Sequence, residues 1–259
     1  MSQRVTQPVP KTALVTGAAR RVGRAVALKL AGEGWNIGVH YGTSRDAAEQ
    51  TADDIRALGV KAVAVSADLG DESQVGALLP RVAAELGPVG LLVNNASTFE
   101  RDTLATATRE SWDRHMEPNL RAPLVLTQQF AAQLPETSDG AVVNIIDQRV
   151  WNLTEDFLSY TLSKVGLWGL TRTLALGLAP RIRVNGVGPG PILPSIHQEQ
   201  DQFDDQARAM PLQHGADPEE VADAVLYLAT ARSVTGQMIA VDAGQHLWWA
   251  PPGPDTPRD

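Results

Sequence analysis

The sequence predicts an α/β fold: one doubly wound parallel sheet of about seven strands with helices on both faces. Three observations carry that prediction. Short apolar runs alternate with longer amphipathic stretches along most of the chain, the pattern of repeated β-α-β units. The first apolar run enters a glycine-containing turn that opens a helix. No linker or internal repeat breaks the alternation over 259 residues, so residues 1–250 read as a single domain with a sizeable core.

The elements follow in order. Residues 1–10 hold two prolines and no periodicity, and read as a loose arm. Ala13-Leu14-Val15 is the first strand, followed by a helical pattern to about Glu33. Asn36–His40 is the second strand and 47–58 an amphipathic helix; Ala62–Val65 is the third strand and 72–86 the next helix. Leu91–Val93 is the fourth strand, and 111–134 a long helix interrupted near Pro118. Ala141–Ile146 is the fifth strand and 157–178 its helix. Ile182–Val187 is the sixth, 218–229 a short helix, and Met238–Val241 the last strand. The stretch 193–211 shows little pattern and reads as a substrate lid, acidic through Glu199, Asp201, Asp204 and Asp205. Residues 251–259 carry four prolines and one glycine and read as a disordered tail.

Composition bounds the function. The formal charge of −8 argues against nucleic acid or an anionic membrane as the main partner. The absence of cysteine excludes disulfides, thiolate nucleophiles and Cys-based metal sites, and no metal is expected. No apolar run is long enough to span a bilayer, and residues 1–11 lack the apolar core of a signal peptide, so a cytoplasmic enzyme or binding protein is expected.

Two stretches carry chemistry. The first is Thr16-Gly17-Ala18-Ala19-Arg20-Arg21-Val22-Gly23, whose strand, glycine turn and helix can offer free N–H groups and a positive dipole end to a pyrophosphate. Ordinary strand-to-helix turns can have the same form, and Arg21 stands where a middle glycine is usual. A ribose diol is usually held by an acid at the end of the second strand. Here that end reads Tyr41-Gly42-Thr43-Ser44-Arg45, with Arg20 across the turn. Hydroxyls and arginine suit a phosphate better than a diol, although a solvated polar turn has the same composition. The second stretch is Asp147 to Lys164. Tyr160 and Lys164, four apart, share one helix face, where a lysine charge would favour the tyrosinate and lower the phenol pKa. Tyr-x-x-x-Lys also occurs on ordinary helix surfaces. Here it follows Asp147, which sits at the carboxyl end of a strand, where open α/β sheets bind ligands.

These pieces, in order, resemble the short-chain dehydrogenase/reductase family from about Thr12 to Gly244: Thr16-Gly17-x-x-x-Arg21-x-Gly23, Asp68-Leu69, Asn94-Asn95-Ala96, Asn119, Tyr160-x-x-x-Lys164, Pro189-Gly190, and Thr235-Gly236 with Asp242-Ala243-Gly244. The resemblance implies a Rossmann fold binding a nicotinamide dinucleotide. Tyr160 would transfer the proton, Lys164 would lower its pKa and hold the nicotinamide ribose, and Asn119 would prop the lysine through a water. Asp68 would face the adenine and Asn95 the ribose region; Asp68 could equally be a helix cap, and Asn119 a helix-break residue after Pro118. With the phosphate reading, NADPH would lie against Gly17, Arg20, Arg21, Val22, Tyr41, Thr43, Ser44, Asp68, Leu69, Asn95, Ala96, Ser97, Tyr160, Lys164, Pro189 and Gly190. The family also implies a homotetramer, with the helices around 111–134 and 157–178 at one interface.

Three departures narrow the resemblance. Most members carry serine where this chain has Asp147, Arg21 replaces a glycine, and Ser97-Thr98-Phe99 follows Asn-Asn-Ala where many continue with glycine. An ionised carboxylate cannot donate to an oxyanion, but it can accept from N–H groups. The three together resemble the pteridine reductase branch, which includes dihydromonapterin and dihydrofolate reductases of this fold. By that resemblance Arg21, Ser97, Phe99, Asp147 and Tyr160 would hold the substrate, with Phe99 stacking a flat pterin. The expected function is NADPH-dependent reduction of a pterin. An NADPH-dependent reductase of another carbonyl or imine is the alternative, with Phe99 as core and Asp147 as a structural variant. A third reading is a non-catalytic nucleotide sensor, which the intact Asn119, Tyr160 and Lys164 oppose.

Overall fold

The computed structural model describes residues 6–192 and 200–247. The expected tail at 251–259, the start of the amino-terminal arm, and residues 193–199 of the expected lid lie outside the described residues.

The chain runs β1 (Thr12–Val15), α1 (Arg21–Gly32), β2 (Asn36–Tyr41), α2 (Arg45–Ala57), β3 (Ala62–Ser66), α3 (Glu72–Leu86), β4 (Leu91–Asn94), α4 (Arg109–Met116), α5 (Ala122–Gln133), β5 (Gly140–Ile145), α6 (Leu158–Gly177), β6 (Ile182–Pro189), α7 (Gln200–Ala209), α8 (Pro218–Thr230) and β7 (Met238–Val241). The seven strands form one parallel sheet in the order β3-β2-β1-β4-β5-β6-β7. The expected α/β class, strand number and doubly wound arrangement are therefore observed.

Alternate residues feed opposite layers of the core, as strand periodicity requires. Ala13, Val15, Leu91 and Val93 pack with α1, α2 and α8, whereas Leu14 and Leu92 pack with α3 and α5. With both faces covered, the strands read as unbroken apolar runs, which is why each was visible in the sequence. Strand order reverses at β1 and β4, whose register pairs Val15 with Val93. The crevice beyond their carboxyl ends is the place such a sheet offers to a ligand.

Two elements differ from expectation. The helix interruption at Pro118 is a π-helical turn, Glu117–Arg121, that joins α4 to α5 without a break in direction of the chain's helical winding. Within the expected lid lies α7; its sequence is strongly polar and offers few apolar residues, so it did not stand out as a packed element. Among the described residues, no helix is long and apolar enough to cross a membrane.

Candidate active site

The carboxyl edge of the sheet carries two polar constructions. The first surrounds the turn after β1. Gly17 adopts the left-handed region at φ 64°. Its N–H donates to Nδ1 of His40 at 3.0 Å, and Nε2 of the same ring meets the Ala67 carbonyl at 3.1 Å. His40 thus joins the turn to β2 and the end of β3, and burial pushes its pKa down to about 4, so the ring is neutral. Asn95 Nδ2 donates to the Thr16 and Gly17 carbonyls at 2.8 and 3.2 Å. Thr16 Oγ1 accepts from the N–H groups of Asn95 and Ala96 at 2.9 and 3.0 Å. At Gly23 a Cβ would stand 2.2 Å from the Gly17 carbonyl oxygen, so only glycine lets α1 begin this close to the turn.

This half fits a dinucleotide phosphate. The first turn of α1 holds no acidic residue, and Arg20 at its N-cap makes no side-chain capping bond, leaving helix N–H groups and the positive dipole end for an anion. Ser44, at the N-cap of α2, also makes no capping bond, and Thr43 and Arg20 are exposed beside it in sequence and turn. Arg21 stands at φ 52°, a conformation uncommon for a non-glycine residue and one that lies at the turn itself.

The second construction lies at β5 and α6. Tyr160 donates its hydroxyl to Asp147 Oδ2 at 2.7 Å, and Asp147 Oδ1 accepts from the Arg149 N–H at 2.7 Å, capping the short helical turn Gln148–Val150. Lys164 is buried, with Nζ 2.9 Å from the Ile145 carbonyl oxygen and 5.7 Å from the Tyr160 ring centre. Phe99 stacks on Phe157 with ring centres 4.4 Å apart, and meets Tyr160 edge-on at 4.7 Å. Arg149 lies over the other side of this group, 5.2 Å from the Phe157 ring. Ser97 Oγ reaches Asn119 Oδ1 at 3.1 Å, which connects the β4 loop to the same region.

Several expected roles are altered by the observed contacts. Lys164 was expected to lower the Tyr160 pKa; instead Tyr160 is raised well above its ordinary value, by burial first and then by the Asp147 charge and hydrogen bond. Lys164 itself is lowered to about 8 by burial, opposed by the Asp147 charge. Asn119 Nδ2 donates to the Thr98 carbonyl and Ser163 Oγ at 3.0 and 3.1 Å. It ties the β4 loop to α6 one residue before the lysine. Asn95 Nδ2 is bonded to the glycine turn, and the residue is half-buried. Leu69 is buried in the core, and Asp68 accepts from Gly70 N–H within its own turn at 2.8 Å, while Asp71 caps α3. Pro189 ends β6, and the Gly190 N–H bonds the Val241 carbonyl at 3.0 Å.

Sequence reasoning missed His40, Arg149, Phe157 and Asp102. The only signal for His40 was one polar ring within a buried strand. Asp102 gave none, because its partners lie far along the chain: it accepts from the Ser159 N–H at 3.0 Å, 57 positions away.

Known proteins share this fold and much of this sequence. A family model described as enoyl-(acyl carrier protein) reductase matches residues 17–246. The 3-oxoacyl-[acyl-carrier-protein] reductase FabG of Staphylococcus epidermidis is 34% identical over 242 residues, covering 92% of this chain and 99% of that protein. The crystal structure of FolM alternative dihydrofolate reductase 1 from Brucella suis, in complex with NADP, superposes with a TM-score of 0.90 at 47% identity, covering 93% of this chain and 97% of that one. The Brucella canis protein of the same name, also complexed with NADP, gives 0.88 at 46% identity, covering 93% and 96%.

Proposed function

The chain belongs to the short-chain dehydrogenase/reductase family, and from that premise we propose that it is a cytoplasmic, NADPH-dependent reductase of a pterin-type substrate, working as a single domain over residues 1–250. NADPH, when bound, supplies the hydride. The amino end of α1 would take the pyrophosphate, with Arg20, Thr43 and Ser44 at the 2′-phosphate. Lys164 would hold the nicotinamide ribose.

The observation that carries the substrate class is the 2.7 Å bond between Tyr160 and Asp147. A carboxylate in that place cannot donate to an oxygen that becomes negative, so it disfavours a ketone. It suits a flat ring that presents N–H and amino donors and is reduced at C=N. Asp147 would then accept from the ring donors, and Tyr160 would give its proton to the ring nitrogen beside the carbon that is reduced. The raised phenol pKa keeps that proton in place at neutral pH. Phe99, backed by Phe157, would supply the stacking surface. Identity of 46–47% to two proteins titled alternative dihydrofolate reductase supports the same class.

One observation favours a second reading. The FabG relatives at 34% identity are named as 3-oxoacyl reductases, so reduction of a carbonyl is the competitor. The deciding assay is NADPH oxidation with 7,8-dihydropterins, with dihydrofolate and with a 3-oxoacyl thioester. Turnover of dihydropterins in preference to the thioester is expected; the reverse order would replace the pterin reading by the carbonyl one. Because α7 carries Asp201 and Asp205 exposed and Asp204 half-buried, a pterin without a long anionic tail should be preferred to one that has it. The family resemblance also supports a homotetramer, in which the exposed Leu162, Val165 and Leu176 of α6 would be covered. Sedimentation of the purified protein tests that assembly.

A further inference from the structure

We propose that Asp102 is a positioning residue that holds the start of α6, and hence Tyr160, in register with the loop that carries Phe99. The inference rests on the reading of Tyr160 as proton donor.

Helix α6 has no cap of its own. Phe157, the residue before it, is left-handed at φ 59° and makes no side-chain capping bond. A bulky aromatic residue in that region is strained, and such strain persists only where the surroundings impose it. Asp102 supplies the missing acceptors from a remote loop. Its carbonyl accepts from Leu158 N–H at 3.1 Å, and its Oδ1 from Ser159 N–H at 3.0 Å. Its Oδ2 accepts from the Ser159 and Ser111 hydroxyls at 2.5 and 3.1 Å. An anion here also meets the positive end of the helix dipole.

His115 completes the tie. Its Nε2 accepts from the Glu100 N–H at 3.0 Å, so its proton is on Nδ1, which faces Ser159 Oγ at 2.7 Å and the Ser111 carbonyl at 2.9 Å. Asp102, His115 and Ser159 are all buried, and the His115 ring centre is 6.1 Å from that of Tyr160. Burial opposes the Asp102 charge, but the Ser159 and Ser111 donors hold its pKa below the ordinary value. One carboxylate therefore binds three pieces: the loop three residues beyond Phe99, the helix α4, and the residue before Tyr160. Their bonds run to one another and to Glu100, Ser111 and Leu158, so their action on the chemistry passes through placement.

The test compares Asp102→Ala, Asp102→Asn and Ser159→Ala with the parent enzyme. A small displacement of a reacting group costs about 10²-fold, so Asp102→Ala is expected to lower kcat on dihydropterin by about 10- to 100-fold. It should leave the Kd of NADPH within about twofold, because the glycine turn hangs on other strands. Asp102→Asn keeps an acceptor for the Ser159 N–H and should recover most of kcat; a merely structural role would give no such split between kcat and cofactor binding. Ser159→Ala, which keeps the backbone cap, covers the case in which Asp102→Ala fails to fold, and should show a kcat loss of about three- to tenfold. The alkaline absorbance titration of the three tyrosines supplies a readout independent of substrate. In the parent, burial and Asp147 hold the Tyr160 pKa well above its ordinary value; in Asp102→Ala it should move back towards that value as its packing and its contact with Asp147 loosen. Folded variants with parental kcat and a parental titration would overturn the inference. A parent inactive on every pterin would sink the substrate reading alone, since the titration still decides the role of Asp102.

Discussion

The two halves of the sheet's carboxyl edge are built from different materials. Around β1 and β2 the inner polar groups are neutral, with Arg20 and Arg21 exposed at the turn: a histidine held uncharged, an asparagine, a threonine and backbone amides, nearly all bonded to one another. Around β5 and α6 a buried lysine and a half-buried carboxylate flank a buried phenol, and the key proton lies between the phenol and the carboxylate. The neutral half fixes a shape and leaves helix N–H groups for a phosphate. The charged half fixes the place of a proton. Changes in the first should thus act on cofactor binding, and changes in the second on the rate.

The sharpest break of that division is Tyr160→Phe. It removes the proton and keeps the ring, and it should cut turnover by about 10²–10⁴ with NADPH binding nearly unchanged. Stopped-flow or steady-state rates beside a fluorescence titration with NADPH check both sides. Next, Gly23→Ala should act on the other half alone. Its Cβ would press on the Gly17 carbonyl at 2.2 Å, so the turn must shift. Overpacking of this kind costs about 1–3 kcal/mol, and isothermal titration should show NADPH affinity lowered by about 10- to 100-fold.

The division also accounts for what was legible beforehand. All seven strands, the glycine turn and the Tyr160–Lys164 pair were visible, because buried parallel strands are unbroken apolar runs and both motifs are local. What is not local was hidden. The sequence puts Lys164 four residues from Tyr160 and Asp147 thirteen away, yet the fold brings the carboxylate to 2.7 Å and sends the ammonium to the Ile145 carbonyl. The direction of the phenol pKa therefore could not be read from spacing. His40 and Asp102 were invisible for the same reason: each acts on segments distant in the chain. Helix α7 was missed because its sequence is strongly polar and offers few apolar residues.

A smaller effect concerns cofactor choice. NADPH should bind more tightly than NADH, with each charge-assisted contact to the phosphate contributing roughly 1.5–3 kcal/mol. Arg20→Ala should bring the two affinities closer by about tenfold; equal affinities in the parent enzyme would contradict the phosphate reading.

A further effect, on stability rather than on binding or rate, concerns pH. His40 has its pKa lowered to about 4 in the fold, against an ordinary value of 6.5. Between those values the unfolded chain takes a proton that the folded chain refuses. Stability from this group is thus complete above about pH 6.5 and falls as pH drops towards 4; at pH 5 the loss is about 2 kcal/mol. His115, also lowered by burial, acts in the same direction. Urea unfolding at pH 5 and pH 7 measures the loss, and His40→Gln should reduce the difference between them.

Asp147→Ser tests the central claim most directly. The substitution restores the residue that most of the family carries, a donor in place of the carboxylate beside Tyr160. The measurement is kcat/KM on a dihydropterin and on a 3-oxoacyl thioester, for the parent, Asp147→Ser and Asp147→Asn. Asp147→Ser should lower dihydropterin reduction by at least about tenfold, or roughly 1.4 kcal/mol of transition-state stabilisation, and leave or raise the activity on the thioester. Asp147→Asn, which keeps the size and loses the charge, should also be poor on dihydropterin. If Asp147→Ser reduces dihydropterin as well as the parent does, the carboxylate is not what selects the substrate, and the pterin assignment is contradicted.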